Sequence, residues 1–388
     1  MEETKKKKPG HRRKKRRTLN IILISIGVVM LAGIIAVIAI FNVYMNKMEI
    51  VPYVATKPTI DIIKNPDKIE IIKPEELKQA EILPEYNDTT PPDILGESEV
   101  VLTPPGAPGF RVDLANIEDE KAKIRNWYYS GSPIYSENVT NILLIGSDNR
   151  SSAEVGRSDA MVMASINKST RQITLVSFLR DNFSYITNGS TEIFTKLNIA
   201  YNMGGPELTV TTIENLFKVR IDNYVVTSMT EFPGIIDTLG GIYLNVESDA
   251  ADSIGVDHGV QLLDGTKALA YSRYRKIGSD LQRTGRQQMV VFAMMDRFRS
   301  SSLSDMNNAL DLLLPSIRTG ITKTGFLGYA STAFFDGWGS YSNANLSVPT
   351  GDCRFGANYD TLDFWFVDYP TQSQNLQMIL YGATNIGL

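Results

Sequence analysis

The chain has 388 residues, 43% of them hydrophobic and 21% charged, the proportions of a globular protein with a substantial core. Its net charge of -4 hides an asymmetry: residues 1–20 carry ten Lys/Arg against Glu2 and Glu3, leaving 29 basic and 41 acidic residues for the remainder. So acidic a body argues against nucleic acid as a partner. Cys353 is the only cysteine and His11 and His258 the only histidines, which excludes a disulfide-stapled scaffold and a His-rich zinc centre. A Ser-His-Asp hydrolase would depend on His258, which "GVDHGV" marks as a loop residue.

In chain order, the basic tail 1–20 runs into "IILISIGVVMLAGIIAVIAIF", Ile21 to Phe41, 21 residues without a charge. That length crosses the hydrocarbon core as a helix, and the flanking basic run keeps the N-terminus cytoplasmic and sends the rest outside. The run therefore predicts a single retained transmembrane helix, in contact with membrane lipid. Residues 42–110 form a proline-rich stretch, with ten of the seventeen prolines between 46 and 110, and read as an extended extracytoplasmic spacer with a short strand or two.

From 111 to 388 the pattern is that of one mixed α/β domain. "NILLIGS" (141–147), "AMVMASIN" (160–167) and "QITLVSF" (172–178) predict strands. "TKLNIAYNMGG" predicts a helix closed by Gly204 and Gly205, and "PELTVTTIENLFKV" a second one opened by Pro206. A strand at "NYVVTSM", a helix at "EFPGIIDTLGG", a strand at "GIYLNV" and a short helix at "LDGTKALAYSR" follow. "DLQRTGRQQMVVFAMMDRFR" predicts a longer amphipathic helix, and the tail adds strands at "NLSVPT" and "LDFWFVDYP" and a final helix at "TQSQNLQMILYG". Helices alternating with buried strands imply a mixed sheet covered by helices, an α-β-α layered fold.

Charged residues gather at the ends of these elements, where α/β folds hold ligands. Asp148 and Arg150 follow the first strand, Arg157 and Asp159 precede the second, and Arg180 and Asp181 follow the third. "YSRYRKIGSDLQRTGRQQ", 271–288, adds Arg273, Arg275, Arg283, Arg286 and Gln287. Helical spacing predicts that Arg283, Arg286 and Gln287 share a face, with Asp280 as N-cap and Arg283 in the first turn. Arginines crowded at a helix N-terminus oppose its dipole unless an anion compensates. Any one of these residues alone is explained by surface ion pairing. Together they fit a polyanion gripped by arginine forks, with a hard divalent cation on the carboxylates, the equipment of phosphoryl transfer. No P-loop and no GxGxxG is present in the sequence.

The ordered motifs "NILLIGSDNR", "GRSDAMVMASIN", "SFLRDN", "KLNIAYNMGG", "TLGGIYLNV", "LDGTKALAYSRYR" and "DLQRTGRQQ" resemble the LytR-CpsA-Psr family of membrane-anchored bacterial cell-wall ligases over about residues 136–300, extended by "LLLPSIRTGIT" and "WFVDYPTQSQNLQMILYG" to about 381. The resemblance implies an enzyme that moves a phospho-glycopolymer of teichoic acid or capsule type from a polyprenyl-pyrophosphate carrier to a peptidoglycan hydroxyl, releasing polyprenyl phosphate. It implies an apolar lipid pocket with the pyrophosphate at its mouth, clasped by Arg157, Arg180, Arg273, Arg275, Arg283 and Gln287. Asp148 and Asp159 would hold Mg²⁺, and one of them would help deprotonate the acceptor. Where the family usually has proline before the Arg-Asp pair, this chain has Leu179, which is expected to loosen the turn carrying Arg180. The residues alone leave open a non-catalytic receptor for the lipid or an anionic wall polymer. A transcription attenuator, an older association of the family, is disfavoured by an acidic domain placed outside.

Overall fold

The computed structural model describes residues 42–53, 60–61, 69–70, 110–147, 156–228, 232–274, 280–302, 304–305, 308, 311, 314–382 and 384–385. The predicted transmembrane helix and basic tail lie outside these residues; among the described ones no helix is long and apolar enough to cross a membrane. The described residues from Glu49 onward form one compact unit, and the described residues 42–48 belong to another.

The larger unit opens with three two-residue strands, β1 (Glu49–Ile50), β2 (Ile60–Asp61) and β3 (Ile69–Glu70). Helix α1 (Ile117–Tyr129) and strands β4 (Ile134–Tyr135), β5 (Val139–Ser147), β6 (Ser158–Asn167) and β7 (Gln172–Phe178) follow. A hairpin, β8 (Phe183–Thr187) and β9 (Glu192–Lys196), leads to α2 (Ile199–Phe217), β10 (Asn223–Ser228) and α3 (Phe232–Thr238). Next come β11 (Ile242–Val246), α4 (Ser248–Ile254), β12 (Gly259–Leu263), α5 (Gly265–Arg273) and α6 (Asp280–Ser300). The chain ends with β13 (Arg318–Thr319), α7 (Lys323–Phe335), β14 (Ser342–Val348), the hairpin β15 (Arg354–Tyr359) and β16 (Leu362–Val367), α8 (Tyr369–Tyr381) and β17 (Thr384–Asn385).

Five of the predicted strands, β5, β6, β7, β10 and β14, join the two-residue β1 and β13 in a seven-stranded mixed sheet in the order β1-β13-β10-β5-β6-β7-β14, whereas the predicted β11 and β16 pair apart from it with β12 and β15. The three short strands of the proline-rich stretch pair within this unit: β1 with β13, β2 with β4 and β3 with β17. Side chains alternate across the sheet, and register places Leu143, Ile145, Met161, Met163 and Val176 together on one face. They form the main core with Trp127 and Tyr128 of α1, Val210, Ile213 and Phe217 of α2, and Leu376 and Leu380 of α8. On the opposite face Phe292 of α6 packs against Val162 and Leu175. Helices on both faces give the layered mixed fold that the alternation of elements predicts.

The two predicted helices around Gly204 run as one element with a break. Gly205 has φ +68°, open to glycine without strain, and Pro206 restarts the helix beyond it. Helix α2 ends on Lys218, itself left-handed at φ +53°. This lysine is fully buried, and its Nζ donates to the carbonyls of Trp127 and Ser130 at the C-terminus of α1. A cation there meets the negative end of the helix dipole and satisfies carbonyls that α1 cannot.

Near the same end of the sheet, Glu214 accepts from the Ile221 N–H at 2.8 Å and faces the Tyr53 hydroxyl at 3.5 Å. Asp222 accepts from the Asn141 N–H and pairs with Arg220 at 3.1 Å. Burial pushes the Glu214 carboxyl up to about 7, against the pull of the Ile221 N–H and Arg220 and with a push from Asp222.

Lys218→Met is expected to cost about 2–4 kcal/mol, because it strands buried carbonyls, measured by urea denaturation. Folded Glu214 keeps its proton to higher pH than the unfolded chain, so its part of the stability is present below about 4.5 and lost as pH rises through about 7. Glu214→Gln keeps an acceptor for Ile221 and should flatten that fall by roughly 3 kcal/mol, read from Tm against pH.

Candidate functional site

Strands β5 and β10 are parallel, and β6 is antiparallel to both β5 and β7. The carboxyl ends of β5, β7 and β10 therefore meet the start of β6 at one end of the sheet. There the β5–β6 register breaks: Gly146 pairs with Ala160 and Ser147 with Ser158, which leaves Asp159 as the extra residue of a bulge. A bulge kinks the strand and re-aims its side chain. Asp159 is thereby brought to Arg180, just past β7, with Nη1 to Oδ1 at 3.0 Å.

The network continues through Asp181, whose Oδ2 lies 3.4 Å from Arg180 Nε and whose Oδ1 lies 2.8 Å from Lys196 Nζ. Main-chain bonds fix this turn from both sides. The Leu179 N–H donates to Val348 O at 3.0 Å, the Trp365 N–H to Asp181 O at 3.0 Å and the Asn198 N–H to Arg180 O at 3.3 Å. Leu179 thus corrects the expectation of a loosened turn: a proline would set φ but has no N–H for Val348, and the buried leucine supplies it. Side-chain exposures in the network run from 17% to 35%. Ion pairs so wetted are worth at most about 1 kcal/mol each and can yield to a ligand of higher charge.

Helix α6 carries the other arginines, and its turns sort them. Arg286, Val290 and Ala293, three and four apart, face a second core built with Ile236, Leu244, Leu263 and Tyr271. Gln288 and Phe292 face the sheet, where Gln288 Nε2 donates to Ser177 Oγ at 2.8 Å and to Leu346 O at 3.1 Å. Gln287 lies on the stripe between these two faces and is half-buried there, while the side chain of Arg283 lies outside those described. The shared face predicted for Arg283, Arg286 and Gln287 is thus corrected for Arg286, which is only 3% exposed. A third neighbour at 100° per residue falls on whichever side the second core claims.

Arg157 is exposed two positions before the bulged Asp159, and Arg273 is exposed at the last position of α5. Asp148, Arg150 and Arg275 lie outside the described residues, and Asp280, expected as an N-cap, is the first residue of α6 itself. His258 sits in an exposed loop. Lys196 escaped the sequence reading. Its signal, a lysine ending "EIFTK", becomes legible only once the hairpin register sets it opposite Phe183, two residues past Asp181. Among the described residues no group of three His, Cys, Asp or Glu is set to hold a metal. Among the described residues Asp159 and Asp181 bring carboxylate oxygens to this end of the sheet, a donor type that suits Mg²⁺.

The LytR_cpsA_psr family model matches residues 112–370. A polyisoprenyl-teichoic acid–peptidoglycan teichoic acid transferase, TagU of Oceanobacillus iheyensis, is 35% identical over 199 residues, 48% of this chain and 61% of that protein. TagV of Bacillus subtilis, of the same description, is 29% identical over 230 residues, 56% of this chain and 58% of that protein. The chain thus spans about three fifths of the length of these relatives. Among solved structures, B. subtilis TagV superposes with a TM-score of 0.51 at 27% identity, covering 63% of this chain and 98% of that one. TagT bound to LIIa-WTA gives 0.51 at 25% identity, over 63% and 90%.

Removing one cation from the network should weaken binding of inorganic pyrophosphate. Lys196→Met is expected to raise its Kd about tenfold in low-salt calorimetry, the effect of one lost charge-assisted bond. A change below about twofold would take Lys196 out of the site.

Proposed function

The chain belongs to the LytR_cpsA_psr family, and we propose on that premise that it is a membrane-anchored transferase. It moves a phospho-glycopolymer of teichoic acid or capsule type from a polyprenyl-pyrophosphate carrier to a peptidoglycan hydroxyl. The apolar run Ile21–Phe41 holds it at the bilayer, with residues 111–388 as an extracytoplasmic catalytic domain.

One observation carries this reading: the charged mouth adjoins an incompletely covered apolar sheet face. Ile142, Leu144 and Val225 are register neighbours on the face opposite the main core, and all three are half-buried. They lie on β5 and β10, beside β6 and β7, whose ends at this side of the sheet carry Asp159 and Arg180. A ligand with a polyanionic head and a long apolar tail fits that juxtaposition, since the tail covers sheet surface that α6 leaves open.

In the reaction the acceptor hydroxyl attacks the phosphorus that bears the glycan. A new P–O bond forms, the anhydride P–O bond breaks, and polyprenyl phosphate departs. The hydroxyl proton passes to a carboxylate at the mouth, Asp148 or Asp159. Arg180 and Lys196 turn from Asp159 and Asp181 to the phosphate oxygens, joined by Arg157, Arg273, Arg275, Arg283 and Gln287. Asp148 and Asp159 would hold Mg²⁺, which neutralises charge on the phosphates when bound. Positioning and charge stabilisation are the bulk of catalysis in such transfers.

The test uses the full chain in detergent with a synthetic polyprenyl-pyrophosphate oligosaccharide and peptidoglycan fragments, with and without EDTA. Metal-dependent glycan attachment and polyprenyl phosphate release are expected. Arg180→Ala should slow single turnover by about 10²–10³, the loss of roughly 2.7–4 kcal/mol of transition-state stabilisation. Tight lipid binding with neither release nor attachment would place the chain among the receptors instead.

A further inference from the structure

Arg286 is only 3% exposed, too deeply buried to meet a ligand from solvent, and its guanidinium is held by groups inside the protein. Nη1 donates to Tyr274 O at 3.3 Å, and the group lies over the rings of Tyr274 at 4.9 Å and Tyr271 at 5.9 Å. Nε stands 3.2 Å from Glu247 Oε1, a charge contact without the alignment of a hydrogen bond. Glu247 occupies the N-cap position of α4 but makes no side-chain cap bond there, and its carboxylate faces Arg286 and Tyr271 instead.

Tyr274 is the C-cap of α5, and its ψ of 136° takes the chain out of the helix into an extended path. Its neighbours in sequence are Arg273 and Arg275. Arg286 therefore holds, by carbonyl and by ring, the one residue between two arginines assigned to the anion. We propose that Arg286 is a positioning residue for the proposed reaction: it anchors Tyr274 against α6 so that Arg273, the residue before it, is turned toward the pyrophosphate, while Glu247 balances its buried charge. Arg297, on the same stripe of α6, serves α3 in the same way by donating to Leu239 O at 2.8 Å. The stripe thus fastens the C-terminal ends of two helices.

The inference rests on the site reading above, and the experiment separates the two. Farnesyl diphosphate is titrated into the full-length protein in detergent. Arg286→Met and Arg273→Ala should each raise Kd about tenfold, and the double variant should be less than about twofold weaker than Arg286→Met, because the second arginine has already lost its placement. Arg286→Lys keeps the charge beside Glu247 but not the planar fork, so Kd should stay at least about fivefold raised. If Arg286→Met fails to fold, Glu247→Gln takes its place in the cycle, with the same non-additivity expected. Effects that multiply in the double variant, or unchanged binding by Arg286→Met, overturn the inference alone. No binding of farnesyl diphosphate by the wild type overturns the site reading and the inference with it.

Discussion

Helix α6 has to satisfy three environments around one circumference, and the rest of the site follows from that constraint. One stripe, with Arg286, Val290 and Ala293, closes the second core. Another, with Gln288 and Phe292, closes the sheet. What remains is a strip about a third of the helix wide, and Gln287 falls on it. Two packed faces at 3.6 residues per turn fix the direction of the third as firmly as a hydrogen bond would.

The two ends of the sheet handle charge in opposite ways. At one end Lys218 and Glu214 are buried and bound to main-chain groups. No ligand can compete for them, and their removal is felt as lost stability. At the other end Asp159, Arg180, Asp181 and Lys196 keep part of their surface in water. Their mutual attraction is screened, and a polyanion can take the cations without a large penalty. The backbone beneath that network is held far more tightly than its side chains, through Leu179, Trp365 and Asn198. A rigid turn bearing exchangeable ion pairs is what an anion site requires.

Each core strand of the sheet was legible, because short β-branched runs bounded by polar residues have few alternatives. The hairpin β8–β9 was not, since "NFSYITNGSTEIFTK" alternates weakly and both its faces are packed. Lys196 was lost with it. The stretch before residue 110 read on its prolines as a spacer with a short strand or two, and Glu49–Ile50 is such a strand, joining the main sheet beside β13. Proline counts report where a chain cannot be regular over a long run, and say nothing of two residues that borrow their regularity from a neighbouring strand.

The sequence by itself determined the family, the layered fold and the candidacy of nearly every charged residue at the mouth, because strand and helix periods and motif order are local properties. Only the tertiary structure decided which charges meet. Asp159 reaches Arg180 through a bulge that depends on the partner strand, and Lys196 reaches Asp181 through a hairpin register. Arg286 turns away from its neighbours because a second core lies on that side. Each of these depends on what packs against an element, and packing is set by residues distant in the chain, which no local pattern can report.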